Sequence, residues 1–464
     1  MKLSTDSFQL SAEEPKTKKL KERTGKMKGV LFVYMLATLG MCCGFFSPFI
    51  GVCIYVLFGV MAPNALWYYS LPPTYLNTGF GFSEVVAYPM ILGWFMNRCG
   101  NLNIGKAYMP LFLLCGYNLW VFISMMFTSW SPAGFAQVLM NVRLLLAIFI
   151  VISLCDTLQK LRIIIWCLVF GSGFVAYELN MSYLSGFNRL QMVGYSGMDN
   201  NFFAVSMVVG AVVAFFTGLS ERNIVLKGLA FLAAVLQAHV VMFSMSRGGM
   251  LGLGIAGFFA FLTLPKTGSN MALYALFVVV GISLFGPSAQ ERFFSSFKNM
   301  EDLDGSAQSR LFSWKNCMVS IKEKPLWGVG VQKWATYSAS RFGVTLEAHS
   351  TWLQAAVESG IPALFFLLGF FMLTVLRLIP FVWGSRKVPD PRIATYMQMT
   401  ITGTMAYCIS AQFVSLYAME NVFYMATVGL VCLKLVHLKQ VADAEEETAR
   451  MFEMRKEMEY SLMS

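Results

Sequence analysis

Of the three histidines in the chain, only His349 stands outside an apolar run, heading the segment Ala348-His349-Ser350-Thr351-Trp352. An imidazole accepts a proton near neutral pH, which makes histidine the usual general base. His239 lies inside an apolar run and His437 near the end of the last one. A lone histidine beside an apolar segment is more often structural than catalytic, so its neighbours must decide. No HxxxH, CxxC or carboxylate cluster stands beside it, and no metal is expected there. Glu358 follows nine residues later. On a continuous helix that is about 180° away, so Glu358 is read as a supporting residue.

Arginines are the second chemical signal. Arg247 lies in Ser246-Arg247-Gly248-Gly249, a short link between two apolar runs, and Arg310 in the long polar stretch 287–350. Arg189 precedes the polar run Asp199-Asn200-Asn201, and Arg143 falls inside the apolar segment QVLMNVRLLLAIFIV. Guanidinium groups donate paired hydrogen bonds to phosphate oxygens, so arginines converging on one face suit a diphosphate. Arg143 is a candidate because a charge buried in lipid costs several kcal/mol unless it is paired or hydrated. Snorkelling to an interface is the plain alternative for Arg143 and Arg247. Asp304 or Ser306 can cap a helix that Pro325 stops near Lys324, with Leu311, Trp314, Met318 and Ile321 along its apolar face. Arg310 sits in the first turn of that helix, where a cation opposes the helix dipole. An anionic partner would explain it, and so would plain solvation on a surface helix.

The elements that position these residues are set by composition. The 464 residues are 57% hydrophobic and 13% charged, against about 25% charged for a soluble domain. Apolar runs fall near 84–97, 109–128, 136–155, 163–181, 201–219, 227–245, 248–265, 270–286, 351–376, 394–412 and 420–438. Most have the roughly 20-residue length that crosses a bilayer as a helix. The class is an all-α integral membrane protein. Counting 29–66 as one crossing kinked at Gly44 and Pro48 gives about twelve transmembrane helices, the preferred count; counting it as two gives thirteen and puts the basic N-terminus outside. The basic links at Arg98 and Lys106, Lys160 and Arg162, Arg222 and Lys227, Lys266, and Arg386 to Arg392 then share one side, which the positive-inside rule makes cytoplasmic. Residues 1–28 form a basic cytoplasmic tail, 29–438 a polytopic membrane domain with a long extracytoplasmic loop at 287–350, and 439–464 a charged cytoplasmic tail.

The net charge of +10 resides in those links, not in a basic patch interleaved with aromatics, so no nucleic acid is expected. The ten cysteines include no CxxC pair, and Cys115, Cys167, Cys408 and Cys432 read as small buried hydrophobes. No Walker-type loop is present, which argues against an ATP-driven transporter.

The succession Asp304-x-Ser306, Arg310, Trp314, Pro325-x-x-Gly328-x-Gly330, Ala348-His349-Ser350 and Glu358-x-Gly360, preceded by Ser246-Arg247-Gly248-Gly249, resembles the signature of the O-antigen ligase and polymerase superfamily. The Asp199-Asn200-Asn201 run, the form Ala-His-Ser and Ser47-Pro48-Phe49-Ile50-Gly51 look more like the branch of exosortase-associated O-glycosylation ligases. The resemblance spans about 45 to 435. It implies a metal-independent, inverting glycosyltransferase of the GT-C type in a bacterial inner membrane, with its active site facing the periplasm and without a cofactor. The donor would be a glycan on undecaprenyl diphosphate. The acceptor would be a hydroxyl of a glycolipid, polysaccharide or protein. By motif, His349 would be the base, and Arg247 and Arg310 would hold the diphosphate, with Arg189 and Arg143 as weaker candidates. Asp199, Asn200, Asp304, Trp314 and Glu358 would support them. A polymerase of the same superfamily fits these residues equally. A transporter or flippase of lipid-linked sugars would instead gather its charges along a mid-membrane cavity, and a scaffold would leave the convergence of Arg247, Arg310 and His349 without a purpose.

Overall fold

A computed structural model describes residues 16–66, 71–72, 74–78, 80–294, 305–384, 386–415 and 420–463. Helices dominate it. In the first half they are α1 (Lys16–Phe46), α2 (Pro48–Met61), α3 (Pro63–Leu66), α4 (Phe82–Met96), α5 (Tyr108–Phe127), α6 (Pro132–Leu154), α7 (Leu158–Leu184), α8 (Arg189–Met192) and α9 (Asn200–Ser220). There follow α10 (Ile224–Phe243), α11 (Arg247–Thr263), α12 (Gly268–Ser283), α13 (Pro287–Phe294), α14 (Gly305–Glu323), α15 (Trp334–Phe342) and α16 (Thr351–Ser359). The chain closes with α17 (Ile361–Val382), α18 (Pro391–Ser410) and α19 (Glu420–Met463). Among the described residues nine helices are long and apolar enough to cross a membrane, or ten if α12 and α13, bent by 91°, count as one span. The shorter apolar helices α4 and α11 run beside them. This is an all-α, multi-pass membrane protein.

Local sequence accounts for the breaks. Ser131, Thr157, Asp199, Asn223, Ser246, Thr267, Ser350 and Asp390 each cap a helix by accepting a backbone N–H. Helix α9 is apolar all round and buried on nearly every side, which places it at the centre of the bundle. Lys434 of α19 is fully buried and donates to the carbonyls of Asn101, Ile152 and Ser153.

The basic links do share one end of the bundle. Arg162 pairs with Glu221 at 2.7 Å, Trp383 Nε1 donates to Leu262 O, and His437 Nε2 lies 2.8 Å from Asn103 Oδ1. The region 29–66 departs from expectation. It is a hairpin of two helices, not one kinked crossing: a Cβ added at Gly44 would lie 3.5 Å from the Gly51 Cα. In a continuous helix those two positions would be about 10 Å apart. Glycines at both positions let the helices close on each other after the Pro48 break. In the middle of α1, Tyr34 packs against Tyr75 and against Phe82 at the start of α4, and Thr38 Oγ1 lies 2.8 Å from the Tyr75 hydroxyl. Residue 28 therefore enters at the end opposite the C-terminal helix tail.

The long polar stretch folds into a cap on that same end. It is anchored on α5 by Trp327, stacked between Trp120 and Phe127 at centroid distances of 5.0 and 4.4 Å. Helix α14 ends at Glu323, just before Pro325, close to where the sequence places its end. Its buried face differs from the expected one: Ser313, Asn316, Cys317, Ser320 and Ile321 pack inward, while Leu311 and Met318 are exposed. Small side chains let α14 lie close against α16, and bulkier ones are turned out. The apolar segment expected to run unbroken over 351–376 is also divided, at Gly360.

Candidate functional site

His349 is carried on extended chain between α15 and α16, not on a helix, so the half-turn estimate relative to Glu358 does not apply. Four hydrogen bonds fix this chain. Ser313 Oγ donates to Glu347 O at 2.5 Å and Trp314 Nε1 to Ala348 O at 3.1 Å, both from α14. Beyond the histidine, Thr351 Oγ1 donates to Val414 O at 3.0 Å and Ser350 Oγ to the Gln412 side chain at 3.3 Å. His349 itself has φ +44°. A non-glycine residue in that region costs about 1–3 kcal/mol and persists where its surroundings over-determine it. The bonds on both flanks do so here, and they aim the imidazole.

Glu358 supports the site from behind. It is buried, and its carboxylate accepts the backbone N–H of Gln332 at 3.1 Å and of Trp334 at 3.4 Å. Burial pushes its carboxyl up to about 7, against the opposing pull of those N–H groups. The 328–330 turn runs alongside, with Val329 N–H donating to Val357 O and Gly330 N–H to Glu358 O. Gly328 at φ +70° and Gly360 at φ +87° face each other's chain so closely that a Cβ on Gly360 would strike Leu326 O. The spacing Pro-x-x-Gly-x-Gly and Glu-x-Gly is therefore one interlocked joint between cap and bundle.

His349 lines a cavity of 140 Å³ with Asp199, Asn201, Glu347, Phe413 and Ser415. Its Nδ1 lies 3.9 Å from Glu347 Oε2. Burial and the Arg310 guanidinium hold the imidazole below its ordinary value, while Glu347 and Asp199 pull it upward. The histidine is thus neutral at pH 7 and able to accept a proton. Arg247 begins α11, whose Gly248 packs on Phe413 in the wall of this cavity. Asp199 caps α9, and Asn200 Nδ2 ties that helix to Ser244 O just before Arg247.

The structure thus brings His349, Trp314 and Asp199 together, with Arg310 within electrostatic reach of the histidine and Arg247 opening the helix whose next residue packs on Phe413. Arg189 stands further off, donating to Ala65 O at 2.5 Å with its guanidinium 5.7 Å from the Tyr195 ring centroid. Arg143 is also separate and forms a 2.9 Å ion pair with Glu84. Asp304 lies outside the described residues. Sequence reasoning missed Glu347 and Ser415 in the cavity wall, and Glu84 and Glu420 in the neighbouring cavity. The available signal was a carboxylate at the very start of two apolar runs, at 84 and 420.

A multi-span helical bundle with a cap over a polar cavity at one end defines the class as a multi-pass membrane protein with a polar candidate site. Residues 232–368, from α10 into α17, match the family model described as O-antigen ligase. That stretch includes Arg247, Arg310, His349 and Glu358, and its similarity to the O-antigen ligase model supports the O-antigen ligase and polymerase superfamily and an O-antigen ligase-like membrane enzyme. No curated protein matches the chain.

Proposed function

We propose that the protein is a metal-independent, inverting glycosyltransferase. It moves a glycan from undecaprenyl diphosphate to an acceptor hydroxyl at the extracytoplasmic face of a bacterial inner membrane. The observation that carries this reading is a half-buried His349 held on hydrogen-bonded chain in a polar cavity, within electrostatic reach of Arg310. His349 takes the proton of the acceptor hydroxyl as its oxygen attacks the anomeric carbon. Arg310 and Arg247 stabilise the negative charge that develops on the departing diphosphate. Diphosphate is a good leaving group, so no second carboxylic acid is needed to protonate it. The acceptor belongs to a glycolipid, polysaccharide or protein.

The test is transfer from purified undecaprenyl-diphosphate-linked donor, in detergent with EDTA, by wild type and His349→Ala. Release of undecaprenyl diphosphate by wild type and a loss of about 10²–10⁴-fold in the variant, the usual worth of a general base, are expected. Equal rates would remove His349 as the base. No transfer by a folded wild type, across glycolipid, polysaccharide and protein acceptors, would overturn the transferase reading.

A further inference from the structure

A second cavity, of 520 Å³, adjoins the His349 cavity; Gly197 and Met198 line both. It lies within the roughly 300–1,000 Å³ of small-molecule sites. The residues around it have a distinct chemistry: Glu84, Glu420, Asn64, Asn421, Ser206 and Tyr195. Glu420 reaches across α2 at Gly59, where any Cβ would collide with its carboxylate, and accepts the Tyr424 hydroxyl at 3.0 Å. Two buried atoms in the walls of these cavities have no hydrogen-bond partner among the described residues. They are Asn421 Oδ1 in this cavity, on a residue 4% exposed, and Ser415 Oγ in the His349 cavity, on a residue 6% exposed. Such a buried acceptor costs about 1–3 kcal/mol when left unmade, and a ligand that donates to it recovers that cost.

We infer that this cavity is the saccharide subsite of the acceptor, a reading that rests on the transferase function proposed above. Carboxylates accept hydrogen bonds and never donate them, and a carboxamide oxygen accepts as well. Sugar hydroxyls donate to both, whereas the oxygens of a diphosphate are themselves acceptors and find no match in such groups. Glu84 is already neutralised by Arg143 across 2.9 Å, so the lining is a field of acceptors more than a trap for a metal cation. Glu84 and Glu420 lie in the cavity beyond Gly197 and Met198, the two residues that line both cavities and join this subsite to the one in which the acceptor hydroxyl meets His349. Arg143 and Arg189 then act on the wall of the subsite: Arg143 orients Glu84, and Arg189 fastens Ala65 beside it.

The experiment is steady-state transfer by the full chain with donor and acceptor varied separately, using wild type, Glu84→Gln and Asn421→Ala. An acceptor KM raised at least tenfold, with donor KM unchanged and kcat within about threefold, is the expected result. A raised donor KM with an unchanged acceptor KM would overturn the assignment. A parallel measurement does not depend on transfer: ligand-observed NMR of cellobiose, lactose and chitobiose with wild type, Asn421→Ala and His349→Ala. Binding by wild type and His349→Ala of at least one disaccharide, weakened tenfold in Asn421→Ala, is expected. Binding of none of the three by wild type overturns the subsite. Glu84 is partly exposed and its Gln variant keeps the fold, which covers a failure of Asn421→Ala to fold. Disaccharide binding without transfer would sink the transferase and leave the subsite standing; transfer with unaltered acceptor KM in both variants would do the reverse.

Discussion

Replacing Glu358 by Gln gives a pH-dependent change in stability whose size follows from its surroundings. The carboxyl is buried and its folded value stands near 7, against 4.5 for the free group. Two and a half units at 1.36 kcal/mol each amount to about 3 kcal/mol. The sign follows from the proton count. Below about pH 4.5 the group is protonated in folded and unfolded chains alike and contributes no penalty. Between about 4.5 and 7 the unfolded chain ionises first, so stability falls as pH rises. Above about 7 both forms are ionised, and the full loss of about 3 kcal/mol is reached. Glutamine does not titrate. It leaves one of the Gln332 and Trp334 N–H groups without its acceptor, at a cost independent of pH. The quantity to measure is therefore the difference in thermal midpoint between wild type and Glu358→Gln, in detergent, at pH 5 and pH 8. About a quarter of the loss is already reached at pH 5, so at about 2 °C per kcal/mol, suited to a large chain, wild type should lose about 5 °C relative to the variant across that interval. A difference that stays constant within 1–2 °C, on the order of 1 kcal/mol or less, would refute the burial of an ionisable carboxyl at this joint.

Two further outcomes follow from the same cap. The acid limb of the transfer rate should lie below the ordinary histidine value; Arg310→Gln should move it to higher pH and Glu347→Gln to lower pH, since these charges act on His349 with opposite sign. Coincident limbs in all three proteins, read from pH–rate profiles of kcat/KM, would dissociate His349 from the titrating group. Gly360→Ala demands a side chain at φ +87°, ψ 168° and against Leu326 O. A strain above the usual 1–3 kcal/mol should release the cap, abolishing transfer and exposing 305–350 to limited proteolysis while α9 and α19 stay protected; an intact, active protein would show that the joint tolerates a Cβ.

The sequence alone determined the class, because apolar runs of bilayer length leave the backbone no option but helices. It also isolated His349, since a titratable residue heading an apolar run is visible without coordinates, and the order of Arg247, Arg310, Gly328, Gly330 and Gly360 already pointed to the superfamily. The expected stop of α14 at Pro325 was equally local, because proline cannot continue a helix.

What tertiary structure decided depends on contacts between distant segments. The hairpin of α1 and α2 turns on Gly44 meeting Gly51, a close approach that periodicity does not encode. Ser350 caps α16 and leaves His349 on the chain before it, while Gly360 divides an apolar run that hydropathy reads as continuous and sets Glu358 beside the 328–334 turn as the acceptor for the 332–334 backbone. The inward face of α14 is set by what α16 accommodates, so small polar residues displaced the expected Leu311 and Met318. Arg143 found Glu84 and Arg189 found Ala65, and each was thereby drawn away from the histidine. Charges in a membrane bundle go where a partner lies, and the partner is chosen by the packing of helices far apart in the chain.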